Sequence, residues 1–244
     1  MVNFWKIVND VIKYSDVLLL VADARTPKES INNEILDKMR KLKKKYIVVF
    51  NKCDLLREEE RNYHDPAIPY VMYVSATEHL NTQKLYRKIR EISHGKVATV
   101  GILGYPNTGK SSLINAMKGK KSAGTSAQAG FTRGIQKIRV SGDILLLDTP
   151  GVIPYKEKDI VKHALIAARD PNKVRDPETA AFEIMAKFPE AFERHYGIEI
   201  GDDPEAALEL LAEKQNLYQK GKKPDTYRAA MKLLHDWQRG IFRR

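Results

Sequence analysis

The sequence predicts an α/β domain followed by a smaller all-helical domain. Three observations carry that prediction. Residues 1–155 alternate short apolar runs with amphipathic stretches, the pattern of strands and crossover helices in a mostly parallel sheet. Beyond about Pro154 the strand-like runs cease and only helical patterns follow. Between one apolar run and one helical run sits a glycine-rich phosphate-loop spacing. The 244 residues accommodate one large domain or two smaller ones, here divided as 1–155 and 156–244.

The strand candidates are Val17–Ala22, Tyr46–Phe50, Tyr70–Val74, Val97–Leu103, Ile135–Val140 and Ile144–Leu147. Each is short, rich in Val, Ile, Leu or Tyr, and bounded by turn or polar residues. Helical patterns over Ile31–Lys43, Asn81–Ile92 and Lys110–Met117 lie between them. Ser141-Gly142-Asp143 is too short for a crossover, so the last two strands form an antiparallel hairpin. In the second part, Thr179–Lys187, Pro189–His195, Pro204–Asn216 and Thr226–Arg239 read as amphipathic helices. Pro177, Pro189, Pro204 and Pro224 fit helix starts or the loops before them.

Composition narrows the class. Hydrophobic residues at 43% and charged residues at 30% describe a soluble globular chain. No apolar run near the start approaches a membrane span, and Lys6, Asp10, Lys13 and Asp16 interrupt any signal-peptide core. A cytoplasmic protein without membrane partners is the expectation. The single cysteine, Cys53, excludes a disulfide framework and a multi-cysteine zinc site. The net charge of +11 is uneven. Residues 1–155 and 214–244 are basic, and residues 176–213 are acidic. Such a surface points to an anionic partner, nucleic acid being the commonest. A merely solvated lysine-rich surface is the other reading.

Gly104-Tyr105-Pro106-Asn107-Thr108-Gly109-Lys110-Ser111 fits G-x-x-x-x-G-K-[ST] between a strand and a helix. The glycines let the loop wrap so that backbone N–H groups, with the helix N-terminus behind them, face phosphate oxygens. The GTP-binding set here is Asn107, Thr108, Gly109, Lys110, Ser111 and Ser112. Lys110 would reach the β- and γ-phosphates, and Ser111 would ligate Mg²⁺. Asp148-Thr149-Pro150-Gly151 ends the last strand as D-x-x-G. Asp148 would hold Mg²⁺, and the Gly151 N–H would sense the γ-phosphate. Thr132, in the loop between these motifs, would complete the metal shell. An isolated loop threonine facing solvent is the plainer alternative. Lys110, Thr132 and Gly151 are the residues expected to act in catalysis.

The base-reading elements come earlier in the chain. Asn51-Lys52-Cys53-Asp54 is N-K-x-D at the end of a strand. Asp54 would accept from guanine N1–H and N2–H₂, Asn51 would brace the phosphate loop, and the Lys52 stem would stack on the ring. Ser75-Ala76, after the next strand, would present a backbone N–H to guanine O6. The order is therefore base motif, Ser-Ala loop, phosphate loop, switch threonine, D-x-x-G. This is a circular permutation of the usual P-loop GTPase order, feasible when the original termini lie close together.

With Asp23-Ala24-Arg25-Thr26-Pro27, Asn51–Asp54, Gly104–Ser112, Gly130–Gly134 and Asp148–Gly151, the chain resembles the YlqF/YawG family of circularly permuted GTPases. Members of that family act in ribosome assembly. Gly221–Asp225, Arg228–Ala230 and Leu233-Leu234 resemble the end of its helical domain. The resemblance implies a GTPase whose partner is ribosomal RNA or a large-subunit precursor. Val152 stands where Ras-like enzymes place a water-orienting glutamine, and the resemblance implies help from elsewhere. Asn107 occupies the position that coordinates K⁺ in similar GTPases, a charge that would offset the developing transition state. A local turn bond is the alternative role for it. The catalytic histidine proposed for the N-terminus of bacterial members has no counterpart here before His64. Slow intrinsic hydrolysis by a monomer, accelerated by its partner, is expected. The competing readings are a GTPase acting on another RNA or protein partner and a GTP-dependent binding module with negligible turnover. RNA contacts are placed on Lys220, Lys222, Lys223 and Arg239, with further basic clusters at Lys38–Lys45 and Lys118–Lys121. Tyr218, Tyr227 and Trp237 are aromatic candidates for base stacking, although helical spacing favours a core role for Trp237.

Overall fold

The computed structural model describes residues 4–118, 136–148, 165–166 and 171–241. Two compact units divide the chain, Met1–Lys156 and Glu157–Arg244. The first is a mixed α/β layer structure. Its strands are β1 (Val17–Asp23), β2 (Lys45–Asn51), β3 (Val71–Tyr73), β4 (Ala98–Gly104), β5 (Gln136–Arg139) and β6 (Ile144–Asp148). They form one sheet in the order β3-β2-β1-β4-β6-β5. All neighbours are parallel except the β5–β6 hairpin.

The helices of this unit are α1 (Phe4–Tyr14), α2 (Pro27–Ser30), α3 (Asn33–Lys41), α4 (Thr82–Ile92) and α5 (Lys110–Met117). Strand β1 shows how they cover the sheet. Its seven residues are all buried, which is what a strand packed on both faces requires. Leu18, Leu20 and Ala22 join Val11, Ile12, Ile35 and Met39 in one core layer. Val17, Leu19 and Val21 join Leu85, Ile89, Leu113 and Ile114 in the other. At Gly101 the sheet meets α1 so closely that a Cβ would lie 2.6 Å from Val11 Cγ1 and 2.8 Å from Leu18 Cδ2.

Helix α1 is not among the helices read from the sequence. Its successive turns nevertheless bury Ile7, Val8, Val11 and Ile12, an i, i+4 pattern. The expected helix over Ile31–Lys43 is shorter. The Asn32 side chain accepts from the Ile35 N–H and caps α3 there, after the separate turn α2. It ends at Lys41, and Lys43 enters the left-handed region at φ 49°.

The second unit contains α6 (Pro177–Lys187), α7 (Pro189–Tyr196), α8 (Pro204–Lys214) and α9 (Thr226–Arg239). Asp176, Asp203 and Asp225 each cap a helix by accepting backbone N–H groups of its first turn. The helix expected over Pro204–Asn216 stops at Lys214, because Asn216 turns left-handed at φ 54°. Trp237 lies at the centre of this unit's core, fully buried and stacked on Phe188 at 4.8 Å. Its indole N–H donates to the Leu165 carbonyl at 2.7 Å. It is thus a packing residue and is not available to stack on a base. Asp236, also buried, accepts from the Tyr196 hydroxyl and the Lys232 ammonium. Among the described residues no helix is long and apolar enough to cross a membrane.

Candidate guanine nucleotide site

The carboxyl ends of β1, β2, β4 and β6 bring Asp23, Asn51, Gly104 and Asp148 to one edge of the sheet. Open parallel sheets bind ligands at this edge. After β4 the chain turns at Gly104, with φ 147°, where a Cβ would collide with the Val21 carbonyl oxygen of β1. Asn107 sits exposed in the left-handed region at φ 60°. Gly109, at φ 87°, leads into α5, and a side chain there would strike the Asn51 amide. The loop is folded inward by its own side chains. The Thr108 hydroxyl donates to the Tyr105 carbonyl at 3.0 Å, and Lys110 Nζ donates to the same oxygen at 2.6 Å. Burial pushes the Lys110 ammonium down to about 8, with the Asp148 carboxylate opposing the shift. Ser111 and Ser112 are exposed on the first turn of α5.

Asn51 joins the base-reading and phosphate-loop segments. Its Nδ2 donates to the Thr108 carbonyl at 3.0 Å and to the Gly109 carbonyl at 3.4 Å. Its Oδ1 accepts from the Ala76 N–H at 3.1 Å. Residues 25 and 57 positions away in sequence are thereby locked together by one buried amide. Ser75 is buried, and its hydroxyl accepts from the Glu78 N–H at 3.1 Å, which shapes the loop around Ala76. Asp54 follows in a short helical turn, and its Oδ1 is buried without an intramolecular hydrogen-bond partner. A buried acceptor in that condition is costly unless a ligand supplies the donor.

Lys52 is held from behind. It takes the left-handed conformation at φ 64°, and its Nζ donates to Asp23 Oδ2 at 2.9 Å. Asp23 is fully enclosed and also takes the Arg25 guanidinium in a forked contact, at 3.0 Å to Oδ1 and 2.8 Å to Oδ2. Burial opposes ionisation of Asp23. The Arg25 and Lys52 charges outweigh it and hold the carboxyl well below the ordinary range. Burial also lowers the Lys52 ammonium, with Asp23 opposing. Asp23 and Arg25 received no individual role from the sequence. A signal was present: a carboxylate ending an apolar strand, with an arginine two residues on, is a ready-made buried fork.

Thr132 and Gly151 lie outside the described residues, as do residues 119–121, Val152 and the loop around them. Lys220, Lys222 and Lys223 are exposed on the turn between α8 and α9, far along the chain from this edge, and Arg239 is exposed at the end of α9. Tyr218 and Tyr227 are also exposed.

Residues 99–180 match the family model described as 50S ribosome-binding GTPase. The fold is similar to YlqF from T. maritima in its GDP-bound structure, with a TM-score of 0.71 and 25% identity over 97% of this chain and 96% of that one. The fold is that of a circularly permuted P-loop GTPase, similar to YlqF. Sequence relatives of this YlqF-like chain are consistent with that. An uncharacterized GTP-binding protein of Methanocaldococcus jannaschii is 34% identical over 243 residues, covering 96% of this chain and 65% of the relative. Nucleolar GTP-binding protein 2 of Saccharomyces cerevisiae is 31% identical over 253 residues, covering 98% of this chain and 52% of the relative. The YlqF-like chain therefore spans less than two thirds of the length of either.

Proposed function

We propose that this chain binds GTP with Mg²⁺, hydrolyses it to GDP and phosphate, and serves as an RNA- and ribosome-associated switch in large-subunit assembly. The observation that carries the nucleotide part is the Asn51 amide. It fixes the Ser75-Ala76 loop against the phosphate loop, so the permuted order still delivers one contiguous nucleotide site. The unpaired acceptor of Asp54 supports guanine, whose N1–H and N2–H₂ are the donors it lacks. The ribosomal part rests on the family description and on the nucleolar relatives.

The donor set fits Mg²⁺, a hard cation that takes oxygen ligands. Ser111 presents a hydroxyl at the start of α5, and Asp148 presents a carboxylate whose charge reaches Lys110. Bound there, the ion would neutralise charge on the β- and γ-phosphates. Thr132 and Gly151 complete the proposal from sequence alone. Lys110 gives up its bond to the Tyr105 carbonyl and turns to phosphate when GTP enters. Asn107, exposed at the loop's apex, is the proposed K⁺ ligand. Lys220, Lys222, Lys223 and Arg239 are proposed to contact RNA phosphates.

The test is GTP turnover with purified large ribosomal subunits or their precursors, in KCl and in NaCl. Stimulation by particles, greater in KCl, is expected. Equal stimulation in both salts keeps the partner and removes K⁺. Tight GTP binding without turnover under any condition replaces the enzyme with a nucleotide-dependent binding module.

A further inference from the structure

The amino ends of the strands, opposite the nucleotide edge, form a second basic surface with exposed apolar residues. Three segments meet there: the end of α1 with Ser15 and Asp16 before β1, the end of α3 with Leu42–Lys44 before β2, and Ser93–Val97 before β4. Strands β2, β1 and β4 are neighbours, so these segments lie side by side. Hydrogen bonds stitch them together. Lys44 Nζ donates to the carbonyls of Lys13 at 2.9 Å and Ser15 at 3.0 Å. Lys45 Nζ donates to the Ile92 carbonyl at 2.9 Å and approaches His94 Nε2 at 3.3 Å. Those two lysines cap helix C-termini, an ordinary structural use of cations.

The remaining cations have no such use. Lys13, Lys41, Lys43 and Lys96 are exposed, and none takes part in the ion pairs among the described residues of the first unit. Lys13 Nζ instead lies 5.3 Å above the Tyr14 ring, which sets a cation beside an exposed aromatic face. Of the nearby carboxylates among the described residues, two are paired with other cations, and only Asp16 keeps a free negative charge against these lysines. Asp16 accepts from the Thr99 N–H at 2.7 Å, Glu91 pairs with Lys88, and Asp143 pairs with Arg90. Tyr14, Leu42 and Val97 are 50%, 55% and 71% exposed on the same three segments. An excess of lysines around exposed apolar side chains fits a partner with both phosphates and base or sugar faces.

We infer that this end of the sheet is a docking surface for structured RNA whose contribution to binding does not depend on the bound nucleotide. The inference rests on the RNA-associated reading above and adds a second contact region to it. A seven-residue strand is roughly 20 Å long, more than twice the Debye length of about 8 Å at physiological salt. The γ-phosphate, at the opposite end of the strands, is therefore out of direct contact with these lysines. The surface anchors RNA in both states and leaves discrimination to the nucleotide edge.

The experiment uses the full chain and a transcribed large-subunit ribosomal RNA fragment. Affinity is measured with GDP and with a non-hydrolysable GTP analogue, between roughly 50 and 200 mM KCl. The triple variant Lys13→Glu, Lys43→Glu, Lys96→Glu should weaken RNA binding by about 10- to 100-fold, by the same factor in both states, with nucleotide affinity unchanged. Its salt slope should be shallower by about two. Tyr14→Ala should weaken binding roughly fivefold or more without changing the slope. Unchanged RNA affinity in the triple variant overturns the proposal. So does a loss confined to one nucleotide state, or competition by polyglutamate as effective as that by RNA. Equal affinity of the parent chain in both nucleotide states would sink the switch reading while leaving this surface standing.

Discussion

Asp54 and Asp23 stand 31 positions apart, both near the base-reading motif, and have opposite electrostatic needs. Asp54 has a buried oxygen awaiting a donor, so its replacement should redirect specificity. Asp54→Asn is expected to lower GTP affinity at least about a hundredfold and to favour XTP, read by competition binding. Asp23 is already saturated by Arg25 and Lys52. Its folded carboxyl binds protons more weakly than the unfolded chain's, so its stabilisation is complete above about pH 5. That contribution drains away as pH falls below the ordinary value near about 4. Asp23→Asn strands the Arg25 charge and should cost about 3–5 kcal/mol at about pH 7 in urea denaturation. The gap between parent and variant should narrow from about pH 4 downward. The motif residues were legible in the sequence because their spacing encodes a backbone shape. The Asp23–Lys52 contact was not, because it exists only through the register that sets Asp23 opposite Asn51.

At the scale of elements, the strand positions followed from apolar runs, with ends displaced by at most one residue. Helix ends depended on details below that signal. Asn32 could be read as one more residue of a helix or as its cap, and the hydrogen bond to Ile35 makes it the cap. Helix α1 shows the reverse. Its i, i+4 apolar pattern is present, but the charges at Lys6, Asp10 and Lys13 interrupt it along the sequence. Those charges lie on the face away from the core, and the apolar ones lie on β4. The contact between α1 and β4 leaves no room at Gly101. Gly101→Val should destabilise the first unit by about 1–3 kcal/mol through overpacking, seen in urea denaturation. Nucleotide specificity should be unaffected, since the change lies at mid-strand and away from the carboxyl edge.

For the whole molecule, the sequence revealed the permuted order of motifs but could not show that the sheet absorbs it. Sheet order depends on which strands pair, and the β3-β2-β1-β4-β6-β5 arrangement puts motifs from distant segments on adjacent strand ends. The second unit keeps its own apolar core around Trp237, drawn wholly from residues beyond 164. Two unfolding transitions are therefore expected in calorimetry. GTP with Mg²⁺ at about 100 times its dissociation constant should raise the first unit's transition by the equivalent of about 2.7 kcal/mol. Trp237→Ala should lower the other by about 3–5 kcal/mol. A single transition shifted by both changes would show that the units unfold together.

The chain's only cysteine, Cys53, lies between Lys52 and Asp54, fully buried, with its thiol pushed upward by burial. A thiol in that setting reacts only when its surroundings part. The molecule thus carries a built-in clock for the breathing of its proposed base pocket. The alkylation rate of the unmodified protein would time each opening, and occupancy by guanine nucleotide should slow it without any engineered label.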